Sequence, residues 1–379
     1  MSRNRSPLAL AAILLSAAAF ASLENATRVE GHGRQLSAQT APTRPPRQTL
    51  KAQPVTKAQS VAAAGHWRLK LTLRGHTGAV YSAAFFPDGV RAATSGDDGS
   101  IRIWNVRTGR LLRKIEGLGG TVSDVAVSSD GRLLASCTDG DKEPTVQLRD
   151  ARTLRLLRTL KGHTGGIFEV VFSPDGRVLA SGGRDKTVKL WDTATGRLLR
   201  TLVGHDDAVT SLAFTPDGRV LASAGAEGDN TVRLWDTATG KTLHTLAGHD
   251  DWVTSVAFTP DGATLASGSR DHRIILWDAH TGEKLRELRQ PEMIYEIEFS
   301  PDGHVMAEAG GGGLLRLHDA QTGKLLSTIK AHSEEINDVK FTPRGALLLL
   351  SASYDATVKI WEPAPAAATV NKPRAKWME

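Results

Sequence analysis

The chain has 379 residues and a single cysteine, Cys137, a scarcity that excludes an internal disulfide framework. Cys137 also lies too far from the N-terminus to carry a lipid on the leading segment. Aromatic residues make up only 5% of the chain, and just three of them are tyrosines. The apolar run "PLALAAILLSAAAFA", residues 7–21, is shorter than the roughly 20 residues a bilayer-spanning helix needs. There is no G-x-S-x-G elbow, no Walker phosphate loop, no H-E-x-x-H and no cysteine pair. The glycine-rich "AGGGGLL", residues 309–315, lacks the dinucleotide spacing and reads as a hairpin turn. Hence no catalytic residue, cofactor or metal is expected, and the acidic turn "TDGDKEPT" lacks the spacing of a calcium loop.

A surplus of positive charge is present but is confined to one end. The net charge is +6, yet residues 1–65 hold eight Lys/Arg and two Asp/Glu, which leaves 39 of each sign in residues 66–379. A nucleic-acid-binding domain needs a basic surplus of its own, so no nucleic acid is expected as partner. Arg3 and Arg5, the apolar run, and the small residues Ala19 and Ala21 together predict a signal peptide over 1–21, cleaved after Ala21. The expected location is periplasmic or secreted, with no membrane span after cleavage; an uncleaved anchor is the alternative. Residues 22–65, rich in Pro, Gln and basic residues, read as an extended linker, and residues 363–379 as a tail of the same kind.

The body between them is periodic. Taking the apolar residue before each Pro/Gly turn as marker gives Phe85, Val127, Phe172, Phe214, Phe258, Phe299 and Phe341, with steps of 41 to 45 residues. Such a period marks units that cannot bury their apolar faces alone. Each unit holds short strand-like runs, as in "VTSVAF", "TLASGS", "IILWD" and "KLRELR", and no long amphipathic helix. The recurring dipeptides are Gly-His at 75–76, 162–163, 204–205 and 248–249, and Trp-Asp at 191–192, 235–236 and 277–278.

On these marks, residues 66–362 closely resemble the WD-repeat (WD40) family of β-propellers. The resemblance implies an all-β, seven-bladed propeller of four-stranded antiparallel blades. Its ring would be closed by the N-terminal strand "WRLKLTL", which completes the last blade. The resemblance also implies a structural hydrogen-bonded set of His, Ser/Thr, Asp and Trp per regular blade. These sets are His76, Ser95, Asp98 and Trp104; His163, Ser181, Asp185 and Trp191; His205, Ser223, Asp229 and Trp235; His249, Ser267, Asp271 and Trp277; His332, Ser351, Asp355 and Trp361. The second repeat departs, with Arg149 in place of Trp. In the sixth, Glu308 and His318 stand where Ser and Trp pair, and they are expected to bond to each other. An inter-blade ion pair is expected between Glu298 and Lys340.

Family propellers usually engage partners through the face that carries the loops before the first strand and between the second and third. The expected function is therefore a noncatalytic scaffold, monomeric as a propeller, holding a protein or peptide there. A carbohydrate or cell-wall-glycan binder and a propeller enzyme are the alternatives. The candidate face residues are Tyr81, Trp252, Arg270, Met293, Tyr295, Asn337 and Tyr354, which span blades 5, 6, 7 and 1 and include all three tyrosines. Aromatics, Met and Arg gathered on one side make binding hot spots, unless they only plug the channel mouth. One position deeper, Asp124, Glu169, Glu296 and Asp338 replace the Ser of other blades. They are expected either to form an acidic rim or to cap local backbone N–H groups.

Overall fold

The computed structural model describes residues 66–118, 120–139 and 144–364. The expected signal peptide, the linker and nearly all of the tail lie outside these residues. Seven four-stranded antiparallel sheets follow one another along the chain, each built from consecutive strands. Blade 7 is the exception. Its outer strand is Trp67–Arg74, which pairs with Thr357–Pro363 in the register Leu69↔Trp361 to Arg74↔Thr357. The first strand thus closes the ring and covers what would otherwise be an open sheet edge.

Short β-branched and small residues alternate in these strands, so each blade buries both of its faces against its neighbours. The core is accordingly divided among the blade junctions. One cluster joins Ala222, Val232 and Leu234 of blade 4 to Val256, Leu265 and Trp277 of blade 5. Another joins Leu73 and Val358 of blade 7 to Val80 and Trp104 of blade 1. Close approach is enforced by glycine at Gly310, where an added Cβ would sit 1.9 Å from the Met293 carbonyl oxygen.

The inner strands carry the feature that builds the face. In every blade the pairing of the inner strand with its neighbour shifts by one residue immediately after its first residue. The residue stepped over is Tyr81, Ser123, Phe168, Thr210, Thr254, Tyr295 and Asn337 in blades 1 to 7. A bulge of this kind re-aims one side chain, and here all seven line the central channel.

Candidate functional site: the channel mouth

The histidine sets come first, because they decide which polar residues are committed to structure. In blade 3, His163 Nδ1 lies 2.9 Å from Asp185 and its Nε2 lies 2.7 Å from Ser181 Oγ, which also accepts the Trp191 indole N–H at 2.8 Å. Placing the imidazole proton on Nδ1 satisfies every member: the ring donates to Asp185 and accepts from the serine. Blades 4, 5 and 7 repeat the set through His205, His249 and His332. Blade 1 corrects the expectation. Thr94, not Ser95, lies 2.7 Å from His76 and accepts from Trp104 at 2.9 Å. The reason is register: Ala92 pairs with Trp104, which puts Thr94 where Ser181 stands in blade 3. Burial alone would raise the carboxyls of Asp98, Asp229 and Asp271, but the hydrogen bonds they accept hold all three well below the usual carboxylate range. Burial depresses His76 and His332, which favours the neutral imidazole.

Blade 6 keeps its fold by substitution. His318 Nε2 lies 2.8 Å from Glu308 Oε2, as expected, and Arg316 donates to Glu308 Oε1 at 2.8 Å, with all three residues buried.

Two circular belts surround the channel. In the first, an inner-strand side chain accepts the N–H of the next blade's inner strand: Ser82 from Val125, Asp124 from Val170, Glu169 from Leu212, Ser211 from Val256, Ser255 from Ile297 and Asp338 from Ala83. The capping expected of Asp124, Glu169 and Asp338 is therefore found, but it acts between blades and not locally. In the second belt the bulge residue donates to the next blade's first inner-strand carbonyl: Ser123 to Ile167, Thr210 to Val253, Thr254 to Ile294 and Asn337 to Val80. The amide of Asn337, a candidate face residue, is thus engaged in tying blade 7 to blade 1.

Aromatic bulge residues cannot make that donation, and they stand at the mouth instead. Tyr81 meets Tyr354 edge to face, with ring centroids 5.7 Å apart. Tyr295 lines the channel between them and blade 5. The Arg270 guanidinium stacks 4.0 Å above the Trp252 ring, and the Trp252 indole N–H points to Glu227 at 3.4 Å. Met293 is 39% exposed, ahead of the bulge in blade 6. Burial and the neighbouring Tyr295 and Glu335 raise Tyr354 to about 12, so it stays a neutral phenol. The same position in blade 3 holds a pair absent from the candidate list, Phe168 beneath Arg184 at 5.4 Å, with Arg184 bonded to Asp139 at 3.0 Å. Its signal was present in the sequence, since Phe168 and Arg184 occupy the positions of Tyr295 and, one loop on, Arg270.

From the mouth down the channel holds about 550 Å³, and the charged groups in its lining are Asp124, Glu169, Glu296, Glu298 and Asp338 around the one ammonium of Lys340. The expected Glu298–Lys340 pair is not formed. Lys340 bonds to Glu296 across the junction and lies 2.9 Å from Asp338 on its own strand, while Glu298 accepts from the Phe341 N–H. Lys340 reaches the two carboxylates one level above it, Glu296 on the neighbouring inner strand and Asp338 on its own. Among the described residues, no group of three or more His, Cys, Asp or Glu is arranged to hold a metal ion.

Seven closed four-stranded blades with a His–Asp and Trp–hydroxyl set in five of them define a β-propeller of the WD-repeat class. The chain belongs to the family described as WD domain, G-beta repeat, which it matches over residues 67–105, 109–142, 154–192, 196–236, 240–278 and 323–362. The interval between the last two matches holds Glu308 and His318, so blade 6 keeps the fold without the family's marks. Among similar proteins, guanine nucleotide-binding protein subunit beta of Arabidopsis thaliana is 43% identical over 67 residues, 17% of this chain and 18% of that one. Human apoptotic protease-activating factor 1 is 44% identical over 72 residues, 17% of this chain and 6% of that one. Ribosome biogenesis protein ERB1 of Chaetomium thermophilum is 49% identical over 43 residues, 11% of this chain and 5% of that one. The chain thus spans only a minor part of the length of these relatives.

Proposed function

We propose that this propeller is a noncatalytic platform that holds a protein or peptide partner at the channel mouth. One observation carries the reading: Tyr81, Tyr295 and Tyr354, together with the Arg270–Trp252 stack, crowd the mouth across blades 5, 6, 7 and 1. Aromatic and Arg side chains of this kind dominate interface energetics, because they bury large areas at small entropic cost. The names of the relatives agree with the reading, since they describe a subunit, an activating factor and a biogenesis protein.

The partner's contact is inferred to carry hydrogen-donating or basic groups, given Glu227 beside Trp252 and Glu335 beside Tyr354. Nucleic acid is not proposed, the propeller is taken to act as a monomer, and export from the cytoplasm is part of the proposal. Among the described residues, no helix is long and apolar enough to cross a membrane.

The test is affinity capture from an envelope extract with the wild-type chain and with the Trp252→Ala/Tyr295→Ala variant, alongside a glycan array. Capture of a protein that the variant loses while remaining folded is the expected result. Binding on the array alone would replace the reading with a glycan binder. N-terminal sequencing of protein from intact cells tests export, and a start near Ser22 is expected.

A further inference from the structure

The two belts of hydrogen bonds do not treat the seven junctions alike. Junctions 2–3, 4–5, 5–6 and 7–1 have both belts. Junctions 1–2 and 3–4 keep the N–H belt, and Tyr81 and Phe168 replace the donors. Among the described residues, the junction between blades 6 and 7 departs from both: it has no donating bulge residue, and its N–H tie lies one level lower, where Glu298 accepts from Phe341. Tyr295 takes the donor's place, and Glu296, at the acceptor's place, turns to Lys340 instead of the Val339 N–H.

At the belt level itself, a cluster of charges in the channel takes the place of the backbone tie. Glu296 and Glu298 come from the inner strand Ile294–Phe299, and Asp338 and Lys340 from Ile336–Phe341. Asp124 and Glu169 face the same space from blades 2 and 3. One ammonium serves several carboxylates, so they cannot all ionise without mutual repulsion in a space partly withdrawn from water. Burial, against the pull of Lys340 and with the push of Asp338, raises Glu296 to about 7 and Glu298 to about 8. Asp124 and Glu169 are also raised, chiefly by burial, and Lys340 is held well above its usual value by the three carboxylates of the seam.

We propose that the seam between blades 6 and 7 is a pH-sensitive joint of the ring: protonated carboxyls keep it closed, and their ionisation loosens it. The sign follows from linkage. A carboxyl whose folded value is raised contributes stabilisation that is complete below its unfolded value of 4.5 and is lost as pH rises through the folded value. The window therefore runs from below neutrality to the mildly alkaline side. Lys340 stays charged throughout it, and His76 and His332, lowered by burial, are already neutral in its upper half. Tyr295 stands at the mouth end of this seam, so the joint lies directly under the proposed partner face.

Hydrogen exchange of the full chain between about pH 7 and pH 9, corrected for intrinsic chemical exchange, tests the joint. Protection of residues 294–299 and 336–341 is expected to fall by about tenfold relative to residues 122–127 and 167–172, which share a doubly belted junction. Glu298→Gln should flatten that fall. Glu296→Ser, which restores the hydroxyl Ser255 uses at the preceding junction, should flatten it independently. The proposal is overturned if all inner strands lose protection together, if the seam strands keep theirs, or if both variants fold and respond as the wild type does.

Discussion

His318 Nε2 lies 2.8 Å from Glu308 Oε2 inside blade 6, where five other blades place a tryptophan against a hydroxyl. Glu308 also takes the Arg316 guanidinium and has no measurable exposure. Removing it by Glu308→Ala leaves two buried donors unmatched, a loss of about 3–5 kcal/mol. Glu308→Gln, which keeps an acceptor, should cost clearly less. Urea unfolding of both variants checks the order.

At the mouth, Trp252→Ala and Tyr295→Ala should each weaken partner binding by about 2 kcal/mol or more while leaving unfolding nearly unchanged. Trp277→Ala should do the reverse. Its ring is buried, and its loss opens a cavity and frees Ser267, for about 3–5 kcal/mol of stability. Thermal unfolding and partner capture of the three variants separate the roles. Equal destabilisation by all three, with capture per folded molecule unchanged, would make the mouth aromatics packing residues.

Acid stability should depend on the blade aspartates. Asp229 is held well below its ordinary 3.8 by His205, Thr231 and the Asp206 N–H. A depressed folded value gives stabilisation that is complete above the unfolded value and is lost as pH falls through the folded one. Unfolding free energy should therefore drop below about pH 4, and Asp229→Asn should flatten that limb while lowering stability at neutral pH. Denaturant titrations along a descending pH series read both effects.

Ring closure rests on Leu73, which is 2% exposed and packs between blades 7 and 1. Leu73→Ala should cost about 2–5 kcal/mol. It should also raise hydrogen exchange in the partner strand Thr357–Pro363 before other third strands. Uniform exchange across the blades would place the weak point elsewhere.

The second belt contributes one hydrogen bond per polar bulge. Thr254→Val keeps the shape and removes the donation to Ile294, so a loss of about 0.5–1.5 kcal/mol is expected. A larger loss would show that the bulge itself needs the hydroxyl.

Most of the scaffold could be read from the order of residues, because a repeat writes its own constraints several times over. The marker residues set seven blades, the Gly-His and Trp-Asp marks together set the buried sets in blades 3, 4 and 5, and the missing last strand named Trp67–Arg74 as the closure. Even the Glu308–His318 pair followed from two departures at positions that face each other in every other repeat. Of the two adjacent hydroxyls, Thr94 and Ser95, the repeat pattern pointed to Ser95, and the pairing of Ala92 with Trp104 shows that Thr94 is the one that meets His76.

The channel was a different matter. Repeat position told that Tyr81, Tyr295 and Asn337 were equivalent, but only the bulge in three dimensions turned all three toward the mouth, and only the neighbouring carbonyl of Val80 made Asn337 a tie. Lys340 had Glu298 level with it in the next repeat, yet it bonds to Glu296 and Asp338, one level higher. Sequence fixes which residues share a level of the ring. Which of them meet is set by how far each side chain reaches across the channel, a distance that comes into being only when seven blades close.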